Sequence, residues 1–418
     1  MHAQTAGRRG AFGAYLCTQA SWFFAFGLQT ALFPFVARVV LQADEAGVGL
    51  AQTSLTAPSI VLVLLAGVVA ERFDKRALLI ALHLTAILPP LTLGLSVGRG
   101  ALAFSNLILY GLSMGAIAAL MLPTRDSALN AVARLSPGLT IQRAVVLASL
   151  VQFVGQIAGM VVASLAAFSG PAPLMAVQAV VLGTGAIAAA LMPALTPHAA
   201  RDKNATVAFE LLEGLRIVWA NPVIRAMVLL MGSVGVFVIG GSFLVLLPLL
   251  VLDEYGGIGE LGVVLMTFWT GAAGATVLLA RLGHVHHPGR PLALALAVGA
   301  ASLLVMMIDP VFPVLLLMVA IWGASGGLGI ALSRAIVQEA APPQALSRVL
   351  SAYQLGFLGG APIGALAIGL AAQAWGLKFA ALIPMIGVLA TAAWLRYATP
   401  VGRLRVAASA LPGGEIGE

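Results

Sequence analysis

Charge is almost missing from long stretches of this sequence. Twelve segments, near 12–40, 49–70, 77–97, 101–122, 141–168, 173–193, 223–252, 258–281, 291–308, 311–333, 346–371 and 375–395, are predominantly apolar. Each is long enough to cross a bilayer, for which an α-helix needs about 20 residues. In hydrocarbon every backbone N–H and C=O must find a partner inside the segment, and a helix is the simplest way to do so. Composition agrees: 61% of the 418 residues are hydrophobic, 9% are charged and the mean hydropathy is +1.04. A soluble globular chain averages about 45–50% apolar and roughly 25% charged residues. The expectation is an all-α membrane protein with twelve transmembrane helices.

The few charges alternate between the two ends of the spans. Of the 22 Lys and Arg, only Arg38, Arg99 and Lys378 fall on one side; the remaining 19 fall on the other. The base-poor side collects Asp44, Glu45, Asp253, Glu254, Glu260 and Asp309. Under the positive-inside rule the base-rich side is cytosolic, and with it both termini. The same asymmetry accounts for the net charge of +7. Its bases are scattered over short loops and form no patch, so no nucleic-acid partner is expected. Cys17 is the sole cysteine, which excludes an intrachain disulfide and a Cys-based metal cluster. Arg8-Arg9 precedes an apolar run too long for a cleaved signal peptide, so that run reads as the first membrane helix.

The chain repeats itself. Tyr110-Gly111-Leu112-Ser113-Met114-Gly115 in the fourth span matches Trp322-Gly323-Ala324-Ser325-Gly326-Gly327 in the tenth. In the fifth span Arg143 is followed by Gly155 and Gly159; in the eleventh Arg348 is followed by Gly360 and Gly364 at the same spacing. Small residues four apart favour close helix crossing. Two six-helix halves related by a parallel repeat would produce this pattern. The boundaries expected are 1–195 for the first half, 196–221 for a cytosolic linker, 222–398 for the second half and 399–418 for a cytosolic tail. Within the linker Ala208, Leu211, Leu212, Leu215, Val218 and Trp219 share one helical face, as in an amphipathic helix lying on the membrane.

Between the second and third spans stands the most charged stretch, Gly67-Val68-Val69-Ala70-Glu71-Arg72-Phe73-Asp74-Lys75-Arg76. As a bare loop it would set topology. Its order, however, resembles the loop 2–3 signature of the major facilitator superfamily, Gly-x-x-x-Asp-Arg-x-Gly-Arg-Arg, with Glu71 and Asp74 departing from the usual Asp and Gly. The resemblance implies two pseudo-symmetric six-helix bundles and secondary transport by alternating access. It also implies that Gly67, Glu71, Arg72, Asp74, Lys75 and Arg76 belong to a cytosolic gate, with Arg143 and Arg348 as partners. The stretches 211–222, Pro123-Thr124-Arg125-Asp126-Ser127-Ala128-Leu129, and 342–349 followed by 359–364 are similar to the enterobactin-exporter and macrolide-efflux branch. That implies efflux of an amphiphilic siderophore, antibiotic or drug-like molecule by proton antiport, from a monomer in a bacterial inner or plasma membrane. Import of a nutrient or metabolite on the same fold is the alternative, and a non-transporting sensor or scaffold a third class. Two positions depart from the branch: Gln156 follows Gly155 where Pro is usual, and Phe26 stands where an acid is usual.

No His-Glu-x-x-His, phosphate loop or Asp-rich prenyl motif occurs, so neither an enzyme nor an ATP-driven pump is expected, nor a cofactor or metal. His284, His286 and His287 cluster in one loop without further converging ligands. Polar residues near the midplane are the candidates for a substrate cavity, since each needs a partner or water there. They are Gln29, Gln152, Gln156, Tyr353 and Gln354, with Trp22, Phe237 and Trp269 as aromatic walls. Each Gln could equally serve an interhelical hydrogen bond alone. Carboxylates sit at span ends, which leaves Asp126 beside Arg125, and Asp44 with Glu45, as candidates for proton coupling.

Overall fold

A computed structural model describes residues 2–62, 73–136, 138–195, 216–282, 285, 287–342 and 346–403. These residues are helical apart from short turns, with no strand among them. The helices are α1 (His2–Phe35), α2 (Glu45–Thr56), α3 (Lys75–Gly98), α4 (Phe104–Leu135), α5 (Ile141–Ala163) and α6 (Pro171–Ala190) in the first half. In the second half they are α7 (Pro222–Glu254), α8 (Ile258–Leu282), α9 (Gly289–Met306), α10 (Phe312–Ala340), α11 (Leu346–Trp375) and α12 (Leu377–Ala393). Eleven helices among the described residues are long and apolar enough to span a membrane. The one that falls short is α2, which is 12 residues long and is followed, after residue 62, by residues outside the described set.

Local chemistry explains the helix ends. Asp44 caps α2, its Oδ1 accepting from the Gly47 N–H at 2.7 Å, and Asp74 caps α3 through the Ala77 N–H at 2.9 Å. Asn221 caps α7 by accepting from Val223 and Ile224, with Pro222 at the first helical position. A side-chain acceptor of this kind satisfies donors that the first turn leaves open. Pro34 lies just before a π-helical turn over Val36–Val40, so the helix departs from regular α geometry at this end. A second π-helical stretch, Val234–Leu246, occupies the middle of α7 and was not legible from the residue pattern.

The packing order repeats. In the first half α1 packs on α5 and α6, α3 on α6 and α4, and α2 on α4. In the second half α7 packs on α11 and α12, α9 on α12 and α10, and α8 on α10. Shifting every helix number by six converts one set into the other. The repeated glycines lie at corresponding crossings: a methyl added at Gly159 would overlap the Phe24 carbonyl of α1, and one at Gly364 the Val236 carbonyl of α7. Backbones meet directly there, which is how helices gain packing energy where lipid supplies no hydrophobic drive. The halves meet along two seams, α2 against α11 and α5 against α8, which the same shift also interconverts. This is the twelve-helix, two-bundle arrangement expected from the sequence.

Candidate substrate cleft and gate

A small crevice of about 10 Å³ lies between α1 and α4 in this conformer, lined by Trp22, Ala25, Phe26, Gln29, Met114 and Ala118. On α1 the lining residues recur at helical spacing, and on α4 Met114 and Ala118 lie one turn apart. Gln29 is fixed from behind. The Tyr110 hydroxyl donates to Gln29 Oε1 at 3.0 Å and accepts from Gln178 Nε2 at 3.1 Å. Gln178 also donates to the Ala25 carbonyl at 3.3 Å, and Phe33 stacks on Tyr110 at 5.5 Å. Three helices therefore hold one amide at the cleft wall, all three polar side chains being buried. Trp22 forms the other end, with its ring edge-on to His83 at 6.0 Å. His83 Nδ1 donates to the Leu79 carbonyl at 2.9 Å, since a carbonyl can only accept.

Arg125 and Asp126 lie toward the base-rich end of α4. The Arg125 guanidinium is buried, stacks over the Phe23 ring at 4.5 Å, and reaches Asp126 Oδ1 from Nη2 at 3.7 Å. Asp126 is largely exposed. The Tyr15 hydroxyl donates to the Arg125 carbonyl at 3.3 Å.

The other residues expected in a cavity divide. Gln156 is buried on α5, and its Nε2 has no hydrogen-bond partner among the described residues; Gln152, one turn away, is half-buried. Trp269 of α8 sits among Phe153, Phe243 and Phe268, and Phe153 belongs to the opposite half. Its indole N–H is buried and likewise unpartnered. Tyr353 hydrogen-bonds Ser333 at 2.7 Å between α11 and α10, a contact inside one half, while Gln354 beside it is half-buried. Phe237 is not brought to the α1–α4 cleft: its ring lies against Gly387 of α12.

At the acid-rich ends the halves are tied together between α1 and α7 and along the α2–α11 seam, while a cavity of about 640 Å³ lies at the α5–α8 seam, with Ser164, Phe168, Glu260 and Met266 in its lining. Arg38 Nη2 pairs with Asp253 of the other half at 2.7 Å and with Glu45 of its own half at 3.1 Å. Asp44, while capping α2, also accepts from Gln373 Nε2 of α11 at 2.5 Å. Beneath these contacts the backbones touch. A Cβ on Gly49 of α2 would stand 2.8 Å from Gly369 Cα of α11, and one on Gly262 of α8 would overlap Ser164 Oγ of α5. Further along the α2–α11 seam, Thr53 and Ser59 hydroxyls donate to the Pro362 and Leu358 carbonyls at 3.3 and 3.4 Å. Asp44 and Glu45 thus hold the closed seam in this conformer.

Of the loop expected to form the opposite gate, Gly67, Glu71 and Arg72 lie outside the described residues. Asp74 caps α3 and Arg76 Nη2 donates to the Ala190 carbonyl at the end of α6 at 2.6 Å, tying loop to bundle. The Lys75 backbone N–H donates to the Leu195 carbonyl at 3.3 Å. Arg143 is exposed at the start of α5 and Arg348 is half-buried near the start of α11. His284 and His286 lie outside the described residues and His287 is exposed. Tyr110, Gln178, Asp253 and Gln373 were not singled out from the sequence as site residues. Tyr110 belongs to the repeated aromatic-Gly pattern and Asp253 to the acid-rich loops, which were the available signals; no local pattern marks Gln178 or Gln373.

The family model for transmembrane secretion effectors matches residues 17–410. The chain belongs to that family, within the major facilitator superfamily. No curated protein sequence matches it significantly. Among solved structures it resembles a point variant of the nucleoside transporter NupG, with a TM-score of 0.79 at 12% identity, covering 92% of this chain and 98% of that one. A bacterial homologue of the human lysosomal transporter Spinster, captured inward-facing and unoccupied, matches with a TM-score of 0.70 at 13% identity over 96% and 99% of the chains. A POT family transporter in complex with a thioalcohol-conjugated peptide matches at 0.72 and 11% identity over 92% and 96%. The family and the fold are therefore those of a multi-pass secondary transporter.

Proposed function

We propose that this secretion-effector relative exports an amphiphilic small molecule by alternating access, in exchange for protons, from a bacterial inner or plasma membrane in which it works as a monomer. The observation that carries the reading is the α1–α4 cleft, with aromatic and apolar walls and one amide held rigidly by Tyr110 and Gln178. Such a lining suits an amphiphile: apolar walls supply affinity and a few fixed polar groups supply orientation. The two rocking units are residues 1–195 and 222–398, with 196–221 as a linker on the cytosolic surface. The Lys and Arg distribution supports a cytosolic base-rich face, so the conformer with its α2–α11 seam shut and Arg38 paired to Asp253 is read as the one closed on that route to the outside. In the opposite conformer the loop 67–76 would close the inner face against Arg143 and Arg348. Asp126, exposed beside buried Arg125, is the carboxylate proposed to exchange protons.

Everted membrane vesicles from overproducing cells test this. With an imposed pH gradient, the wild type should take up amphiphiles from a panel of anionic, neutral and cationic heads, and Asp126→Asn should lose that uptake while retaining downhill exchange. Accumulation in intact overproducing cells, with none in everted vesicles, would assign import instead.

A further inference from the structure

Arg125 is an anomaly in the bundle. A guanidinium has five N–H donors and always carries its charge. Here its side chain is 8% exposed, its ion pair to Asp126 spans 3.7 Å, and its Nε is buried with no hydrogen-bond partner among the described residues. Asp126 points its charge largely into solvent, with 66% of the side chain exposed, so it neutralises Arg125 weakly. A charge held this way within a spanning helix is costly, and such residues commonly mark the path of a charged or polar cargo.

Its position connects it to the cleft. Met114, Ala118 and Arg125 follow one another at helical spacing on α4, so the arginine continues the stripe that forms the α4 wall. On the α1 side Phe23, over which the guanidinium stacks, packs edge-on against Phe26 of the cleft at 6.3 Å. The order along α1 and α4 is then an amide acceptor and donor at Gln29, aromatic and thioether walls at Trp22, Phe26 and Met114, and, beyond the crevice lining toward the base-rich end, a cation under-paired among the described residues. From this arrangement we infer that Arg125 is the specificity determinant for an anionic head group, and that the cargo is an anionic amphiphile: a flat apolar body ending in a carboxylate or another oxygen anion. The inference rests on the transport reading of this cleft and adds the charge of its cargo. The anion would take the free Nε–H and displace Asp126 from Nη2, the charge-assisted and bidentate pairing for which arginine is suited. Asp126 is then a competitor for the same cation, released when cargo arrives.

Binding of three matched probes to the purified full-length protein tests this without reference to transport direction: 2-naphthoate, 2-naphthamide and 2-naphthylmethylammonium, followed by calorimetry or thermal shift. The wild type should prefer the carboxylate over the amide by at least about tenfold, the scale of a charge-assisted hydrogen bond, and should bind the ammonium probe most weakly. Arg125→Gln should bring the carboxylate-to-amide ratio to about one. Arg125→Lys should keep part of the preference, and Asp126→Asn should enlarge it. Equal affinities in the wild type, a preference that survives Arg125→Gln, or no binding of any probe overturns the inference. If Arg125→Gln does not fold, the wild-type ratio together with Arg125→Lys and Asp126→Asn decides the matter. Failure of export would show instead in the vesicle assay, where a carboxylate preference could persist in a protein that moves its cargo inward.

Discussion

Placing a single methyl group at Gly49 should tilt the conformational equilibrium of the whole protein. In the structure that methyl would lie 2.7 Å from the Ala365 carbonyl oxygen and 2.8 Å from Gly369 Cα. Carbon atoms in favourable contact stand about 3.5–4.0 Å apart, so the shortfall against Gly369 is at least about 0.7 Å. The obstructing atoms are backbone, which no rotamer change can move aside. Overpacking of this size costs about 1–3 kcal/mol, and the cost falls only on the conformer whose acid-rich seam is shut. A differential of that size shifts a two-state ratio by about 5–150-fold. The assay uses Thr53→Cys, at the α2–α11 seam beside the Pro362 carbonyl, in a Cys17→Ser background so that the reporter is the lone thiol. Its rate of reaction with a membrane-impermeant maleimide reads the open fraction, and Gly49→Ala should raise that rate at least about fivefold. Gly262→Ala, which meets chiefly the Ser164 hydroxyl, should act more weakly because that side chain can rotate aside. Gly259→Ala, where a methyl meets nothing within 4 Å, should leave the rate unchanged and serves as the control. An unchanged rate in well-expressed Gly49→Ala, or an equal rise in Gly259→Ala, would refute the argument that backbone contact sets the closed state.

Other substitutions probe the remaining elements. Asp253→Asn removes half of a partly exposed ion pair worth up to about 1 kcal/mol, so maleimide reactivity should rise severalfold, and the exchange Arg38→Asp with Asp253→Arg should recover part of the loss; no change in either would show that the pair is incidental. Tyr110→Phe leaves two buried amides short of a partner, which costs about 1–3 kcal/mol, and the detergent-purified protein should melt at a lower temperature, whereas an unaltered melt would mean that water replaces the hydroxyl. A reporter active only outside the cytosol, fused after residue 418, should be silent if the base-rich face is cytosolic; strong activity would invert the assigned orientation.

The fold was legible because bilayer chemistry leaves few alternatives. Apolar length marks spans, and the Arg143–Gly155–Gly159 and Arg348–Gly360–Gly364 spacing exposes the repeat; the glycines then lie at matching crossings. The site was only partly legible. Trp22 and Gln29 line the cleft, yet Phe237, equally aromatic and equally central in its span, turns toward Gly387. A span that is apolar all round carries no periodic signal of which face is inward, and α7 adds a π-helical stretch that changes the face each later residue presents. Partners that come from distant sequence were invisible for a simpler reason. Nothing local to Arg38 indicates that Asp253, 215 positions later, shares its guanidinium with Glu45.

That shared guanidinium bears on how fast the carrier can turn over. When the seam parts, Arg38 gives up Asp253 but keeps Glu45, because arginine and glutamate travel on the same half. The cation is never stripped of every counterion on the way, and the liberated Asp253 emerges at a water-facing rim where hydration receives it. A clasp whose two members both became solitary would give up its whole Coulombic attraction in every opening. Here one tooth of the clasp stays engaged, so closure can be firm at rest without making each opening slow.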